Sequence, residues 1–336
     1  MIRMPPEWET HEATWIAWPH NASDWPGKLA AIHWVYAEIA RKIAPGEIVR
    51  IIVNSKSHEA AARKYLGKAG VPLDRVEFFR FPTNRGWTRD FGPIFVRDGK
   101  DTAIVDFAFN GWARYSNWKM DNRIPGKVAS ALGKKLLPVR YNGKPVVMEG
   151  GSVDVNGGGI LLATEECLLD QVTQVRNPGI SRWEIETILA ENLGIDLVVW
   201  LGKGIAGDDT HGHVDDVARF VGPSTVVLCE ETDPKDANFR TLVDNRDRLK
   251  NAGLGIVLLP MPGPLYFEGI RLPASYANFY VANSAVLVPT FNDPNDRVAL
   301  EILSDCFPDR PVVGIHSVDL AWGFGTLHCL TQQQPA

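Results

Sequence analysis

The sequence has no apolar run long enough to cross a bilayer, no block of basic residues and no cysteines paired at metal-binding spacing. Its apolar stretches all fall short of the roughly 18 to 20 residues that a membrane-spanning helix needs. The 35 basic and 40 acidic residues give a formal net charge of −5, with no basic cluster suited to a phosphate backbone. These absences argue against a membrane protein and against a nucleic-acid partner.

Cysteine is scarce and scattered. The four cysteines are Cys167, Cys229, Cys306 and Cys329, and none forms a CxxC pair that would indicate zinc or a redox couple. The opening stretch, MIRMPPEWETHEATW, has two prolines and several acids where a signal peptide would have a basic end and an apolar stretch. Both features favour a protein of the reducing cytoplasm.

Short apolar runs alternate with amphipathic runs along the chain. Ser181 and Glu184 stand at capping-box spacing before one of the amphipathic runs, which marks the start of a helix. Helices are predicted at residues 28–44, 181–193, 237–252 and 294–305. Strands are predicted at residues 47–54, 75–81, 102–109, 159–164, 196–201, 224–230, 255–261 and 284–291.

Two stretches, SVDVNGGGILLAT and NFYVANSAVLVPTF, contain turn residues between two strand-like runs and predict hairpins. Hairpins do not fit the strict strand-helix alternation of a doubly wound sheet. The pattern recurs about every 60 to 70 residues without clear residue identity, a spacing typical of propellers and arrays. Because no linker or low-complexity tract interrupts the chain, we predict a mixed α/β fold in one domain, residues 1–336.

Four glycine-containing stretches break the apolar pattern with polar residues that are costly to bury unpaired. In the third of them, His213 and Asp215 are two apart at the predicted start of a strand, so we expect their side chains on one face. The stretches are NRGWTRDFGPIFV (84–96) with Trp87 and Asp90, VVMEGGSVDV (146–155) with Glu149, GDDTHGHVDDVARFV (207–221) with His213 and Asp215, and GFGTLHCLTQQQPA with Cys329.

Each polar residue taken alone has a structural interpretation, as a turn aspartate, a loop glutamate or a buried histidine or cysteine. Cys167, Cys229 and Cys306 lie in or beside apolar runs and are interpreted as structural. Together, however, one cysteine, one histidine and three carboxylates form a set suited to covalent catalysis. A cysteine nucleophile needs a nearby cation and a histidine needs an orienting carboxylate, while further carboxylates can bind a planar guanidinium.

Metal binding is the competing interpretation of the HGHVDD segment and of His328-Cys329. Neither HExxH nor cysteine-pair spacing accompanies these residues, so no metal is predicted.

The four stretches, in this order, resemble those of the agmatine deiminase branch of the guanidine-modifying enzymes, which is related to the bacterial peptidylarginine deiminases. The similar segments also include MPPEWETHEATWIAWPHN, FNGW, ATEECLLD, RNP and LPASYANFYVANSAVLVPTF, so the resemblance covers essentially the whole chain. It implies a five-bladed, pseudo-symmetric α/β propeller of ββαβ modules with the active site in a central channel.

The resemblance also implies an activity: hydrolysis of agmatine to N-carbamoylputrescine and ammonia through a covalent amidino-cysteine intermediate. No metal or organic cofactor is implied, and the partners are a small cationic guanidine and, in the assembly, further copies of the chain as a homodimer or larger oligomer. The implied roles are Cys329 as nucleophile, His213 as general acid and base, Asp90 and Asp215 as guanidinium-binding carboxylates, Glu149 as the acid that orients the histidine, and Trp87, Trp112 and Asp209 as substrate contacts.

The chain departs from the family pattern at four positions. Arg85 and His211 stand where acids are common, and Phe324 and Thr326 stand where glycines are usual before the final His-Cys. Two alternatives therefore stay open. One is a deiminase or amidinotransferase acting on another guanidine, such as arginine, peptidyl-arginine or a modified guanidino acid, and the other is a catalytically silent propeller that binds cationic ligands.

The final stretch leads to two further expectations. The glycines before Cys329 are expected to let a substrate approach closely, since glycine has no side chain to obstruct it. The polar run from Thr331 to Gln333 is expected to satisfy polar groups inside the channel.

Overall fold

The computed structural model describes residues 2–336. Within this range the strands form five sheets of three or four strands and two small two-stranded hairpins. The strands, in chain order, are β1 (Ile2–Arg3), β2 (His11–Ala17), β3 (Ile48–Val53), β4 (Val76–Arg80), β5 (Ile94–Asp98), β6 (Asp101–Asp106), β7 (Leu136–Pro138), β8 (Arg140–Tyr141), β9 (Lys144–Pro145), β10 (Asp154–Val155), β11 (Ile160–Thr164), β12 (Leu197–Leu201), β13 (Ala218–Gly222), β14 (Thr225–Glu230), β15 (Gly255–Pro260), β16 (Tyr266–Phe267), β17 (Ile270–Arg271), β18 (Tyr280–Val281), β19 (Val286–Thr290), β20 (Val312–His316) and β21 (Thr331–Pro335).

Helices of very different length connect these strands. One of the long ones begins with the predicted capping box, in which Ser181 and Glu184 satisfy each other's backbone N–H groups. From residue 2 onward, no helix combines the length and the apolar character needed to cross a membrane. The helices are α1 (Leu29–Ile43), α2 (Lys56–Lys68), α3 (Thr88–Phe91), α4 (Ile124–Leu132), α5 (Glu165–Leu168), α6 (Arg182–Leu193), α7 (Phe239–Asn251), α8 (Asn295–Cys306) and α9 (Leu327–Leu330).

All the predicted strands and helices are present, with ends shifted by a few residues. Both predicted hairpins are also confirmed, as the antiparallel pairs β10–β11 and β18–β19. The prediction did not include β2, β20, β21, α2 or α4, and the strand expected to start near His213 begins only at Ala218, as β13.

Four sheets share one connectivity. In each, two consecutive strands pair antiparallel, the chain passes through a helix, and the following strand pairs parallel with the second of the two. The opening strands of these units begin at Ile94, Asp154, Ala218 and Tyr280, which agrees with the predicted interval of about 60 to 70 residues. The units are β5–β6–α4–β7, β10–β11–α6–β12, β13–β14–α7–β15 and β18–β19–α8–β20.

The fifth sheet is assembled from both ends of the chain. Its order is β21-β2-β3-β4, in which β21 pairs antiparallel with β2 and the remaining neighbours pair parallel. Thr331 lies opposite Ile16 and Pro335 opposite His11. The last strand therefore supplies the antiparallel partner that a neighbouring strand supplies in the other four sheets.

Short elements between the sheets meet at one place. Helices α3 and α9 contact each other, α3 contacts a 3₁₀ turn at Gly150–Ser152, and that turn contacts a second one at Val214–Asp216. Apolar side chains are packed in three clusters around this region, and the cluster that includes β2, β3 and α1 also includes Cys329. The fold therefore brings together four segments that are far apart in sequence.

Candidate active site

A cavity of about 180 Å³ opens beside Cys329. Five of the eight predicted site residues line it, namely Cys329, Asp90, Trp87, Trp112 and Asp209. The other lining residues are Ser23, Asp24, Arg85, Tyr115, Thr210, Gly323 and Phe324.

The remaining predicted residues, His213, Asp215 and Glu149, are buried behind the cavity wall. Gly151 marks the point where the side chains converge. A Cβ atom at Gly151 would lie 2.6 Å from His213 Nδ1, 2.8 Å from Asp90 Oδ1 and 3.1 Å from Asp215 Oδ2. The second glycine of the Glu-Gly-Gly segment therefore has to be glycine so that these three side chains can meet.

One local prediction about this segment was wrong. His213 and Asp215 do not share a strand face, because Val214–Asp216 forms a 3₁₀ turn and β13 begins only at Ala218. Backbone N–H groups of this loop bond instead to Asp208, whose Oδ2 accepts from His213 N at 3.0 Å. A short polar side chain that bonds nearby backbone groups favours a turn over an extended strand.

Cys329 lies on α9, with its sulfur in a dry and negatively charged setting. Asn278 Nδ2 donates to Cys329 Sγ at 3.1 Å, and Asp215 Oδ2 lies 3.8 Å from the sulfur. Burial, together with the charges of Asp215, Asp216 and Asp90, raises the pKa of the thiol well above its ordinary value. The thiol is therefore protonated at neutral pH.

His213 lies between two carboxylates. Its Nδ1 is 3.7 Å from Asp90 Oδ1 and its Nε2 is 3.7 Å from Glu149 Oε2. From residue 2 to residue 336, no group forms a hydrogen bond with either ring nitrogen. Burial alone would lower the pKa of the imidazole, but Asp90 and Glu149, with Cys167 beside the ring, raise it well above its ordinary value. The imidazolium is therefore the favoured form of His213 at neutral pH.

The two carboxylates beside His213 differ in their own partners. Arg176 Nε donates to Glu149 Oε1 at 3.2 Å, and although burial raises the pKa of Glu149, the Arg176 charge holds it at about 2. Trp112 Nε1 donates to Asp90 Oδ2 at 2.9 Å, but burial raises the pKa of Asp90 to about 7, with His213 opposing the shift and Asp215 adding to it.

Asp215 is hydrogen-bonded to a buried pair of side chains, His328 and Glu7, whose role was not predicted from the sequence. His328 Nδ1 bonds Asp215 Oδ2 at 2.6 Å, and His328 Nε2 bonds Glu7 Oε2 at 2.9 Å. Arg89 and Arg219 also contact Glu7 at 3.0 Å. Burial would raise the pKa of Asp215, but His328 keeps it below its ordinary value, so this carboxylate stays ionised. Its second oxygen, Oδ1, is buried and has no hydrogen-bond partner among the described residues.

The position of Asn278 at the site was also not predicted from the sequence. Besides Cys329 Sγ, its amide donates to Asp216 Oδ1 at 3.0 Å, and its carbonyl oxygen accepts from Thr326 Oγ1 at 2.8 Å and from His328 N at 3.0 Å. The only signal in the sequence was a polar residue inside the otherwise apolar segment ASYANFYVA.

Two tryptophans form walls of the cavity. Trp112 adopts a left-handed backbone conformation (φ 58°), which is uncommon for a bulky residue and aims its indole N–H at Asp90. Trp87 packs against Gly323 and Gly325, where added Cβ atoms would lie 2.6 Å and 2.9 Å from its ring. Both glycines therefore make room for Trp87, and Gly323 also lines the cavity, where its lack of a side chain leaves space.

The four departures from the family pattern have different environments. Arg85 lines the cavity, where it bonds Asp24 and stacks over Tyr115. His211 does not line it and instead bonds Asp170 Oδ2 at 2.7 Å. Phe324 lines the cavity in a left-handed conformation (φ 65°) that favours glycine. Thr326 is buried against Asn278, so only Arg85 and Phe324 directly shape the space.

The C-terminal polar run bonds buried arginines and a tryptophan. Gln333 Oε1 accepts from Arg89 Nη1 at 2.7 Å, and Gln334 Oε1 accepts from Arg50 Nη1 at 2.6 Å and from Trp15 Nε1 at 2.9 Å. These residues satisfy buried donors beside the site and do not line the cavity itself.

Two groups of side chains have the spacing that a metal ion requires. The ligand atoms of Glu149, Cys167 and His213 lie within 4.8 Å of one another, as do those of Asp215, Asp216 and Cys329. Both groups are already in contact with protein donors, because Arg176 bonds Glu149, and Asn278 bonds both Asp216 and Cys329.

The chain is similar to known proteins over its full length. The profile of the Porphyromonas-type peptidyl-arginine deiminases matches residues 3–335. An agmatine deiminase of Ectopseudomonas mendocina is 35% identical, over 100% of this chain and 96% of its own. An agmatine deiminase of C. jejuni, solved with substrate bound, superimposes with a TM-score of 0.91 at 32% identity, covering 100% of this chain and 97% of that one.

More distantly, an inosamine-phosphate amidinotransferase of Streptomyces griseus superimposes with a TM-score of 0.51 at 13% identity, over 100% of this chain and 98% of its own. At this identity the likeness shows the fold alone, a mixed α/β fold shared with amidinotransferases. The family match over nearly the whole chain and the full-length relatives confirm the resemblance seen in the sequence: the chain belongs to the Porphyromonas-type peptidyl-arginine deiminase family.

Proposed function

We propose that the protein hydrolyses agmatine to N-carbamoylputrescine and ammonia, and so supplies a precursor of putrescine. One observation carries the proposal: within residues 2–336, Asp215 Oδ1 is buried without a hydrogen-bond partner, and the other oxygen of this carboxylate lies 3.8 Å from Cys329 Sγ. The ring nitrogens of His213, each 3.7 Å from a carboxylate oxygen of Asp90 or Glu149, are likewise buried without partners there. Buried polar atoms are nearly always paired, and unpaired ones next to a nucleophile indicate groups that pair with a ligand. A guanidinium offers five N–H donors in a plane and matches these carboxylates.

The proposed architecture is a single domain with five blades. The five larger sheets, each an antiparallel pair followed by a parallel strand, supply the blades of a pseudo-symmetric α/β propeller. The cavity beside Cys329 then lies in its central channel, where the short elements α3 and α9 meet. The scattered free cysteines fit our placement of the enzyme in the cytoplasm.

Substrate binding uses two carboxylates whose charges act on the Cys329 sulfur. Asp90 and Asp215 hold the guanidinium nitrogens, and the rings of Trp87 and Trp112 contact the methylene chain. The arriving cation offsets the negative charge that raises the Cys329 pKa. The thiol then releases its proton to solvent, so the nucleophile forms only when substrate is in place.

The chemistry proceeds in two halves. The Cys329 thiolate adds to the guanidinium carbon, and the His213 imidazolium gives its proton to the departing nitrogen, which leaves as ammonia. The product of this half is an amidino-thioether on Cys329 and a neutral His213. In the second half, His213 takes a proton from water and the resulting hydroxide adds to the amidino carbon. The carbon–sulfur bond then breaks, and the proton of the added hydroxyl passes to the sulfur, which releases the neutral ureido product and regenerates the Cys329 thiol.

Glu149 keeps its charge throughout because Arg176 stabilises it. It orients the histidine ring and stabilises the imidazolium form. No step requires a metal or an organic cofactor.

Agmatine is favoured over arginine and other guanidino acids because the cavity offers little free positive charge. Arg85 is the cation that lines it, and two of its three nitrogens already bond Asp24 and Asn117. An arginine carboxylate would therefore meet a cation that is largely compensated.

The test is the Cys329→Ala variant assayed for ammonia and for the ureido product by mass spectrometry. We expect ammonia release from agmatine to fall by on the order of a thousandfold or more, because the covalent step is lost. Cys306→Ala is the matched control, since Cys306 lies in α8 away from the cavity, and it should keep normal rates. Full activity of Cys329→Ala would overturn the mechanism, and a panel of guanidines in which arginine surpasses agmatine would overturn the substrate.

A further inference from the structure

A second group of charged side chains lines the cavity apart from the cluster around Cys329. It consists of Asp24, Arg85 and Asp209. Asp24 and Asp209 repel each other, whereas the carboxylates that act on the Cys329 sulfur are Asp215, Asp216 and Asp90. The cavity therefore has two acidic regions, of which only one surrounds the sulfur.

Asp24 has an unsatisfied oxygen. Its side chain is 0% exposed, and its Oδ1 accepts a hydrogen bond from Arg85 Nη1. Its Oδ2 is buried and has no hydrogen-bond partner in the part of the chain that the structure describes. Burial raises the pKa of this carboxyl to about 7, the Arg85 charge opposes the shift, and the charge of Asp209 adds to it. A buried carboxylate oxygen that lacks a donor is a costly feature unless a ligand supplies the donor.

The surroundings identify the kind of donor that fits. Arg85 already donates from Nη1 to Asp24 and from Nη2 to Asn117. The hydrogen bond to Asn117 is exposed to solvent. Tyr115 donates its hydroxyl to Asp209 Oδ2 at 2.6 Å. With two carboxylates against one arginine, the region keeps excess negative charge and suits a small cation. The aromatic walls of Trp87, Trp112 and Phe324 suit an apolar chain joining that cation to a guanidinium.

We propose that Asp24 binds the ammonium group at the far end of the substrate and thereby selects ω-amino guanidines over guanidines with an uncharged tail. This inference rests on the proposed deiminase function. Arg85 acts as a positioning residue: it holds Asp24 through Oδ1, so that Oδ2 is left to accept from the ammonium. The residue that departs from the family pattern is thus paired with the carboxylate that recognises the substrate.

The experiment compares two substrates on two proteins. Agmatine and 1-butylguanidine share the guanidinium and a four-carbon chain, and only agmatine has the terminal ammonium. We expect the kcat/KM of the wild-type protein to be about 10- to 100-fold higher for agmatine than for 1-butylguanidine, because a hydrogen bond to a charged group contributes a factor of about this size. In Asp24→Asn this preference should disappear through a rise in the KM for agmatine, while turnover of 1-butylguanidine stays within about threefold.

Two control variants separate recognition from structure. Asp106→Asn removes a half-buried carboxylate at the end of β6, outside the cavity, and should leave the substrate preference unchanged. Arg85→Gln should keep a clear preference for agmatine, because Arg85 positions Asp24 but does not bind the ammonium.

The outcomes distinguish this inference from the proposed function. If Asp24→Asn lowers the rates of both substrates equally, or if the wild-type protein shows no preference for agmatine, Asp24 does not bind the ammonium; the second measurement needs no variant to fold. A higher kcat/KM for arginine than for agmatine would also overturn the inference. It would indicate that the Nε–H of Arg85, which is buried without a partner among the described residues, binds a substrate carboxylate. If neither guanidine yields a ureido product, the proposed function itself fails.

Discussion

Asp90 and Glu149 are both buried and both lie 3.7 Å from a ring nitrogen of His213, yet their pKa values move in opposite directions. The difference lies in their other neighbours. Arg176 faces Glu149 and brings its pKa to about 2, whereas no arginine contacts Asp90 and burial raises its pKa to about 7. At neutral pH Glu149 is therefore a permanent anion, and Asp90 is a carboxyl whose charge depends on what occupies the cavity.

The affinity for a guanidinium ligand is expected to depend on pH through Asp90. The groups that face Asp90 are His213, Asp215 and Glu149, and of these the two acids stay ionised well below neutrality. Because only the ionised Asp90 attracts the guanidinium, the Kd of 1-butylguanidine, which has no ammonium for Asp24 to bind, should rise about tenfold in Cys329→Ala for each pH unit below 7. Isothermal titration calorimetry between about pH 5.5 and 8 measures this dependence.

The sign of the accompanying proton exchange is a second readout of the same titration. A carboxyl whose pKa is raised in the empty site must lose its proton when the cation binds, so binding near pH 7 should release protons to the buffer. Titration in buffers of different ionisation enthalpy counts them. An affinity that is constant across the range, or protons taken up on binding, would show that Asp90 is already ionised in the empty site.

At the residue level, the sequence indicated which side chains meet but not what holds them. Cys329, His213 and the three acids could be found because they lie in glycine-rich breaks of an apolar pattern. Glu7 and Asn278 could not be found, since their roles depend on partners more than 200 positions away or on several bonds at once, such as Glu7 with His328. Asp24 and Asp209 line the same cavity although they are far apart in sequence. No local sequence pattern predicts that they lie close together.

Among the elements, α9 and the segment before it fix the position of the sulfur. Gly325 leaves no space for a side chain, because a Cβ there would lie 2.9 Å from the Trp87 ring and 3.1 Å from Cys329 Sγ. Thr326 and Asn278 hold the other side of the segment through a 2.8 Å hydrogen bond. The sulfur is therefore fixed between a tryptophan ring on one side and an amide on the other.

Gly325→Ala is expected to displace the nucleophile. We expect kcat/KM for agmatine to fall about tenfold to a hundredfold, because even a displacement of roughly 1 Å at a reacting group is costly. Overpacking should also lower the free energy of unfolding by about 1 to 3 kcal/mol. Steady-state kinetics and urea denaturation measure the two effects on one preparation.

Gly67→Ala is the matched control for this substitution. Gly67 lies on the exposed side of α2, and a Cβ there would meet nothing within 4 Å. The free energy of unfolding should rise by about 0.5 to 1 kcal/mol, since alanine favours a helix over glycine, and the kinetics should not change. Equal, unimpaired kinetics of the two variants would contradict the proposed packing of Gly325 against Trp87 and Cys329.

Strands with continuous runs of branched apolar residues were predictable, whereas the polar last strand was missed. The runs that became β3, β14 and β19 are rich in valine, isoleucine and leucine, so their pattern alone indicates strands. The last strand, β21, reads TQQQP and is buried throughout. The glutamines of β21 are stabilised by hydrogen bonds from Arg50, Arg89 and Trp15, which are distant in sequence. The strand has no hydrophobic periodicity from which it could have been predicted.

The whole molecule is closed by pairing its two ends. β21 pairs with β2, Ala336 N donates to Thr10 O at 2.9 Å, and the carbonyl oxygen of Ala336 accepts from Arg97. Arg97 also lies opposite Arg3 in the β1–β5 pair. Both ends of the described chain therefore contact Arg97, so a short linker can join them without disturbing either sheet.

A circular permutant is expected to fold and to keep its activity. In this variant a glycine-serine linker joins Ala336 to Ile2, and new termini open the exposed turn at Asn142 and Gly143 between β8 and β9. We expect kcat/KM for agmatine within about threefold of the wild-type value, because exposed turns tolerate new termini and every sheet keeps its strands. Circular dichroism and the ammonia assay check the fold and the activity.

Deletion of residues 331–336 is the contrasting variant, since it removes the closing strand and leaves all other connections intact. The deletion removes the antiparallel partner of β2. It also removes the glutamine oxygens that accept hydrogen bonds from Trp15 Nε1, Arg50 and Arg89. Each unpaired buried donor costs about 1 to 3 kcal/mol, and a domain is stable by only about 5 to 15 kcal/mol. We therefore expect this truncation to lose its cooperative thermal transition while the permutant keeps one. A folded, active truncation would show that the fifth sheet is stable without the end of the chain.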